Sequence, residues 1–132
     1  MKMPIVTTKE GLRVGNFSSP HPFVFDDGTE LPGCSPERAR ALMLDQVEVE
    51  TRTSWEWTDI ELRFEMSQSV LEALQEAQES KEVDVVIVPL PVMQAIKEMP
   101  GMTLDKLAGM PFRVCRVKDR VEKTIWSNKF CL

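Results

Sequence analysis

Apolar and polar residues alternate along two stretches in the middle of the chain. In the first, Val47, Val49, Thr51 and Thr53 share one side, and Glu48, Glu50 and Arg52 share the other. In the second, Ile60, Leu62, Phe64 and Met66 share one side, and Asp59, Glu61, Arg63 and Glu65 share the other. A period of two over this length predicts two β-strands, each burying its apolar face and leaving its charged face in water. Ser54-Trp55-Glu56-Trp57 lies between them as the loop of an antiparallel hairpin.

Helical spacing and capping residues mark further elements. Ser35-Pro36-Glu37 predicts a helix start: Ser caps, Pro fits the first helical position, and Glu37 faces the positive end of the dipole. Ala39, Leu42 and Met43 continue that helix to near Leu44. Ser69-Val70-Leu71-Glu72 has the form of a capping box. It predicts a helix to about Glu79 that buries Val70, Leu71, Leu74 and Ala77. Val83-Asp84-Val85-Val86-Ile87-Val88 is nearly all β-branched, as suits a central strand covered on both faces. The order strand, helix, strand from Thr58 to Val88 predicts a right-handed crossover to a parallel neighbour. Pro89 and Pro91 open a helix carrying Val92, Met93, Ile96 and Met99. Thr103 caps a short helix with Leu104 and Leu107, ended by Gly109.

The two ends of the chain read less regularly. Phe112 to Val117 and Val121 to Trp126 predict the last two strands, with Lys118-Asp119-Arg120 between them. Phe23-Val24-Phe25 and Thr29-Glu30-Leu31 flank Asp26-Asp27-Gly28, which predicts a short hairpin. Residues 1–22 predict an extended or loop-rich arm, with an edge strand at Leu12-Arg13-Val14. The sum is one α+β domain over residues 1–132. Its mixed β-sheet combines antiparallel hairpins with a parallel β-α-β unit, and two to four helices pack on it.

Composition places this fold in water. The chain has 132 residues, 42% hydrophobic and 28% charged, as in ordinary globular domains. No apolar run reaches the roughly 18 residues that a membrane span needs. The first residues lack the apolar core of a secretory signal. Three widely spaced cysteines predict free thiols in a reducing cytoplasm rather than a disulfide framework.

Charge changes the picture again, because it is unevenly spread. Residues 1–110 hold 10 basic and 19 acidic side chains, a net of −9; residues 111–132 hold 6 and 2, a net of +4. The acidic body argues against non-specific binding to nucleic acid. The basic end suggests an anion site. In sheets with parallel strands, ligands gather beyond the carboxyl ends of the strands. That rim would hold the turn at Ser67-Gln68-Ser69, the turn at Pro89-Leu90-Pro91, and the basic residues Arg113, Arg116, Lys118 and Arg120. Helix starts and guanidinium groups both favour oxyanions. The commoner reading of such arginines is a solvated face that pairs with the acidic strands.

Trp55 and Trp57 are candidates for an interaction surface, or for folding back over the core. Cys34 directly precedes a helix start, which can lower a thiol pKa. With His21 and Asp26 it offers a nucleophile, a base and an orienting acid. A free cysteine is also a small buried hydrophobe. No metal set and no cofactor motif is present: one histidine and no C-x-x-C leave zinc without ligands.

These readings converge on a non-enzymatic cytosolic binding protein. It would hold an anionic, nucleotide-like small molecule or a partner protein, act by sequestering or inhibiting, and form a homo-oligomer. The alternatives are a Cys-dependent hydrolase or transferase built on Cys34 and His21, and an acidic protein-interaction module presenting Glu48, Glu50, Asp59, Glu61 and Glu65.

Overall fold

The structure, a computed structural model, describes residues 2–132. Nine strands and four helices occur in the order β1 (Ile5–Thr7), β2 (Arg13–Asn16), β3 (Phe23–Phe25), β4 (Glu30–Leu31), α1 (Pro36–Ala41), β5 (Asp45–Thr53), β6 (Thr58–Glu65), α2 (Gln68–Glu79), β7 (Val85–Ile87), α3 (Leu90–Lys97), α4 (Leu104–Ala108), β8 (Phe112–Asp119) and β9 (Thr124–Cys131). Seven strands form one mixed sheet in the order β1-β2-β7-β8-β9-β3-β4; β5 and β6 form a separate two-stranded ribbon. The fold is α+β, with antiparallel pairs β1–β2, β8–β9 and β3–β4, and parallel pairs β2–β7, β7–β8 and β3–β9.

The sheet curls until its two edges, β1 and β4, approach each other. Its inner face is filled by side chains from all seven strands, among them Val6, Val14, Ile87, Cys115, Ile125, Phe25 and Leu31. Small barrels fill their interior in the same way. The outer face carries Val86, Val88 and Phe112, which pack on Val70 and Leu74 of α2, on Val92, Met93 and Ile96 of α3, and on Leu107 of α4. Strand β7 is therefore covered on both faces, as its β-branched run predicts.

The caps follow local chemistry. Ser35 Oγ accepts from the Arg38 amide at 3.2 Å, and Thr103 Oγ1 accepts from the Lys106 amide at 3.2 Å. The β3–β4 hairpin closes on Gly28 at φ 89°, a left-handed conformation that glycine adopts without strain. No helix of the described residues is long and apolar enough to cross a membrane.

Several expectations need correction. The arm over residues 1–22 contributes β1 and β2, and β2 is an interior strand with Val14 and Asn16 fully buried. Its Val-Gly-Asn sequence is too short and polar to show a period. The crossover from Thr58 to Val88 does not exist as read, because β6 pairs with β5 alone and β7 has β2 and β8 as parallel neighbours. The cap of α2 is Ser67, which accepts from the Val70 amide at 3.4 Å; Ser69 sits inside the first turn. The last hairpin turns at residues 120–123, so Lys118 belongs to β8.

The ribbon differs most from expectation. Its register sets Leu62 opposite Glu48, Ile60 opposite Glu50 and Phe64 opposite Gln46. Opposed residues in an antiparallel pair share a face. The apolar row of β6 and the Val47–Val49 row of β5 therefore lie on opposite faces, and no single face can be buried. All eight residues of β6 are exposed.

Candidate functional site

A groove of about 650 Å³ lies beyond the carboxyl ends of β2 and β7. The chain leaving β2 supplies Ser18 and Pro20, and the chain leaving β7 supplies Pro89 and the α3 start. Helix α1 and its exit supply Ala39, Arg40, Leu42, Met43 and Leu44; Phe64 of β6 closes one side. Four of the chain's nine prolines line it: Pro20, Pro36, Pro89 and Pro91. Proline walls offer ring carbons and no amide donors, so the surface is both rigid and apolar.

Two features give the groove polarity. Arg40 is exposed at its wall, with Nε donating to the Pro36 carbonyl at 3.3 Å. Helix α3 begins with Pro89 as its N-cap, and no side chain caps its first amides. A helix start of this kind carries partial positive charge and unpaired N–H groups. The groove thus joins an apolar wall to a positive end.

The residues expected at this rim divide. Pro89 and Pro91 line the groove. Arg113, Arg116, Lys118, Arg120, Ser67 and Ser69 do not. Arg113 straps the α4 exit, donating to the carbonyls of Ala108, Met110 and Phe112 at 2.7–3.0 Å. Lys118 pairs with Asp26 at 3.4 Å and lies 4.7 Å from the centre of the Trp126 ring, which Lys129 also approaches at 4.2 Å. Arg116 and Arg120 are exposed on and just after β8.

Trp55 is 91% exposed at the ribbon tip, and Trp57 is exposed with Nε1 donating to Asp59 Oδ1 at 3.1 Å. They do not fold back over the core.

Cys34 is buried, and its thiol donates to the Asn16 carbonyl at 3.3 Å. Burial pushes the thiol pKa up, against a smaller opposing pull from Arg38. This corrects the expectation that the helix start activates it: desolvation outweighs the nearby positive charge. His21 is exposed, and its backbone amide and carbonyl both meet Ser19 Oγ. Asp26 is held below the usual carboxylate range, first by a hydrogen bond from the Ser127 side chain, then by the Ser127 amide, which donates to Oδ1 at 2.9 Å, and by Lys118. Among the described residues no hydrogen bond joins Cys34, His21 and Asp26. Nor is there a group of three metal-ligating side chains among them.

The groove residues Arg40, Met43 and Phe64 were not foreseen. One signal was available. Leu42-Met43-Leu44 is an apolar run at the end of a short helix, and one helix face cannot bury three consecutive residues. Leu42 is buried, Leu44 half-buried and Met43 66% exposed toward the groove. No known protein family, curated protein or solved structure matches the chain.

Proposed function

We propose that this protein is a non-enzymatic binding protein that sequesters an amphipathic small molecule. The ligand has an apolar body and an anionic end. The observation that carries this reading is the groove of about 650 Å³ walled by Pro20, Leu42, Met43, Phe64, Pro89 and Pro91. Its size and lining suit small-molecule sites, which combine apolar walls with few polar groups. Arg40 and the uncapped α3 start favour the anionic end. We place the protein in the cytoplasm, in keeping with three free thiols. A second reading, capture of a partner protein, draws on the exposed Trp55, Ile60, Leu62 and Phe64 of the ribbon.

Thermal-shift titration tests the first reading. Medium-chain carboxylates and aromatic acids are compared with the matched alcohols and with nucleotides. The acids raise the melting temperature more than the alcohols do. Arg40→Glu removes that difference, and Ala39→Trp, which fills the groove, removes the shift altogether. The proposal fails if no compound shifts the wild-type protein, or if Ala39→Trp leaves every shift unchanged.

A further inference from the structure

We infer that the free edge of β6 is a pairing site for the same edge of a second copy, related by a two-fold axis at Leu62. The inference goes beyond ligand binding and does not rest on it. Strand β6 pairs with β5 on one side only. Helix α3 touches β6, and a groove of about 440 Å³ between them is lined by Glu61, Leu62, Arg63 and Phe64 of the strand and by Gln94, Ala95 and the nearby Glu98 of the helix side. Every residue of the strand is exposed. A long, unbulged edge with exposed apolar side chains is one that natural proteins cover or blunt.

The edge sequence is complementary to itself. Antiparallel pairing about Leu62 sets Ile60 against the partner subunit's Phe64, twice, and Leu62 against the partner subunit's Leu62. On the opposite face it sets Glu61 against the partner subunit's Arg63, again twice. These two side chains already form an ion pair of 3.0 Å within one chain, so both heads are positioned on the same face of the strand. Opposed apolar pairs and opposite charges each stabilise a sheet pair. The like-charge pairing, Asp59 with Glu65, falls at the ends of the overlap.

Other registers are poorer. A two-fold at Glu61 opposes Glu61 to itself and leaves Phe64 against Thr58; one at Arg63 opposes two arginines; one at Ile60 sets Asp59 against Glu61. The outer edge of β5 is protected: pairing about Val49 would set Glu48 against Glu50, and the strand carries a bulge between Glu50 and Arg52. The two edges of one ribbon thus differ: β5 is bulged where its opposite charges, Glu50 and Arg52, would meet a second copy, and β6 is unbulged.

Charge reversal tests the pairing, with light scattering or sedimentation read over a dilution series. The wild-type protein dimerises. Glu61→Arg and Arg63→Glu each weaken self-association about tenfold or more, since each turns two attractive pairs into repulsive ones. An equimolar mixture of the two single variants associates again, because the all-basic edge of one then meets the all-acidic edge of the other. The double variant Glu61→Arg/Arg63→Glu also regains the dimer. Far-UV spectra of all variants match the wild type, as expected for exposed positions. A wild-type protein that stays monomeric overturns the inference. So does a dimer that ignores both single reversals, or a mixture no more associated than its components. Ligand-induced thermal shifts, read in parallel on Arg40→Glu, fail or survive independently of this result.

Discussion

Arg13 grips Asp84 from both ends. The Arg13 amide and Nε donate to one carboxylate oxygen at 2.9 and 3.2 Å, and Nη2 donates to the other at 2.9 Å. Nη1 also reaches the Lys81 carbonyl at 2.8 Å, so the start of β2 is fastened to the approach into β7 across 71 residues of chain. Hydrogen bonds from Arg13 hold the Asp84 pKa down at about 2, against a model-peptide value of 3.8. A depressed carboxylate pKa stabilises the fold above the unfolded value, and that contribution is lost as pH falls through the folded value. Stability therefore declines between about pH 4 and pH 2. Asp84→Asn lowers stability at pH 7 and flattens the decline over the same interval. Urea unfolding at a series of pH values measures both effects; equal slopes for variant and wild type would show that the contact does not matter.

The parts of the fold that were legible share one property: their signal is local. Ser35-Pro36, Asp26-Asp27-Gly28, Thr103 and the run ending in Val88 act through near neighbours, and each forms the expected element. Apart from a cap misplaced from Ser67 to Ser69 and a last turn placed too early, the misreadings concern partners. Alternation shows which residues of β5 and β6 share a face within each strand. It says nothing of which face of one meets which face of the other, because that depends on a register set by the turn and the bulge. The groove was illegible for the same reason. Its walls come from four separate stretches of chain, and Pro20, Pro36 and Pro89 each have a sufficient local explanation as a turn, a helix start or a strand end.

Cysteine reactivity follows exposure here. Cys131 is exposed, Cys115 is half-buried with a raised pKa, and Cys34 is buried with a raised pKa. Because the thiolate is the reacting species, labelling of the native protein at pH 8 proceeds first at Cys131 and last at Cys34. Mass spectrometry of the alkylated peptides reads the order. Rapid modification of Cys34 near neutral pH would restore the thiol-enzyme reading with His21.

Two glycines differ in what a side chain would meet. A Cβ on Gly33 would run into the Pro20 carbonyl, with its carbon only 2.7 Å away, whereas a Cβ on Gly109 has nothing nearer than 3.5 Å. Gly33→Ala forces backbone against backbone at the groove wall and costs about 1–3 kcal/mol. Gly109→Ala, at φ −78°, is neutral or stabilises by up to about 0.5 kcal/mol. Paired denaturant curves check the contrast, and equal midpoints for the two variants would contradict it.

Asn16 is the buried link between the core and the groove. It is fully buried; Nδ2 donates to the Ser19 and Pro32 carbonyls at 3.0 and 3.1 Å, and Oδ1 accepts from the Ser19 amide at 2.9 Å. Its own carbonyl accepts the Cys34 thiol. One side chain thus fixes the loop that carries Ser18 and Pro20 into the groove wall. Asn16→Ala leaves three backbone groups without this partner and costs about 3 kcal/mol. Asn16→Asp is more diagnostic. A carboxylate there keeps the bond from the Ser19 amide but faces two carbonyl oxygens without water, so its folded pKa is raised. The variant is then most stable in mild acid, where the carboxyl is protonated and can donate once, and it loses that stability as pH rises through the raised pKa. Between about pH 4 and pH 6 its stability falls with rising pH, opposite in sign to the Asp84 dependence at lower pH. Unfolding curves for Asn16→Asp across this interval decide the point; a variant whose stability stays flat or climbs there would mean that the loop relaxes to admit water and that Asn16 does not hold the groove wall.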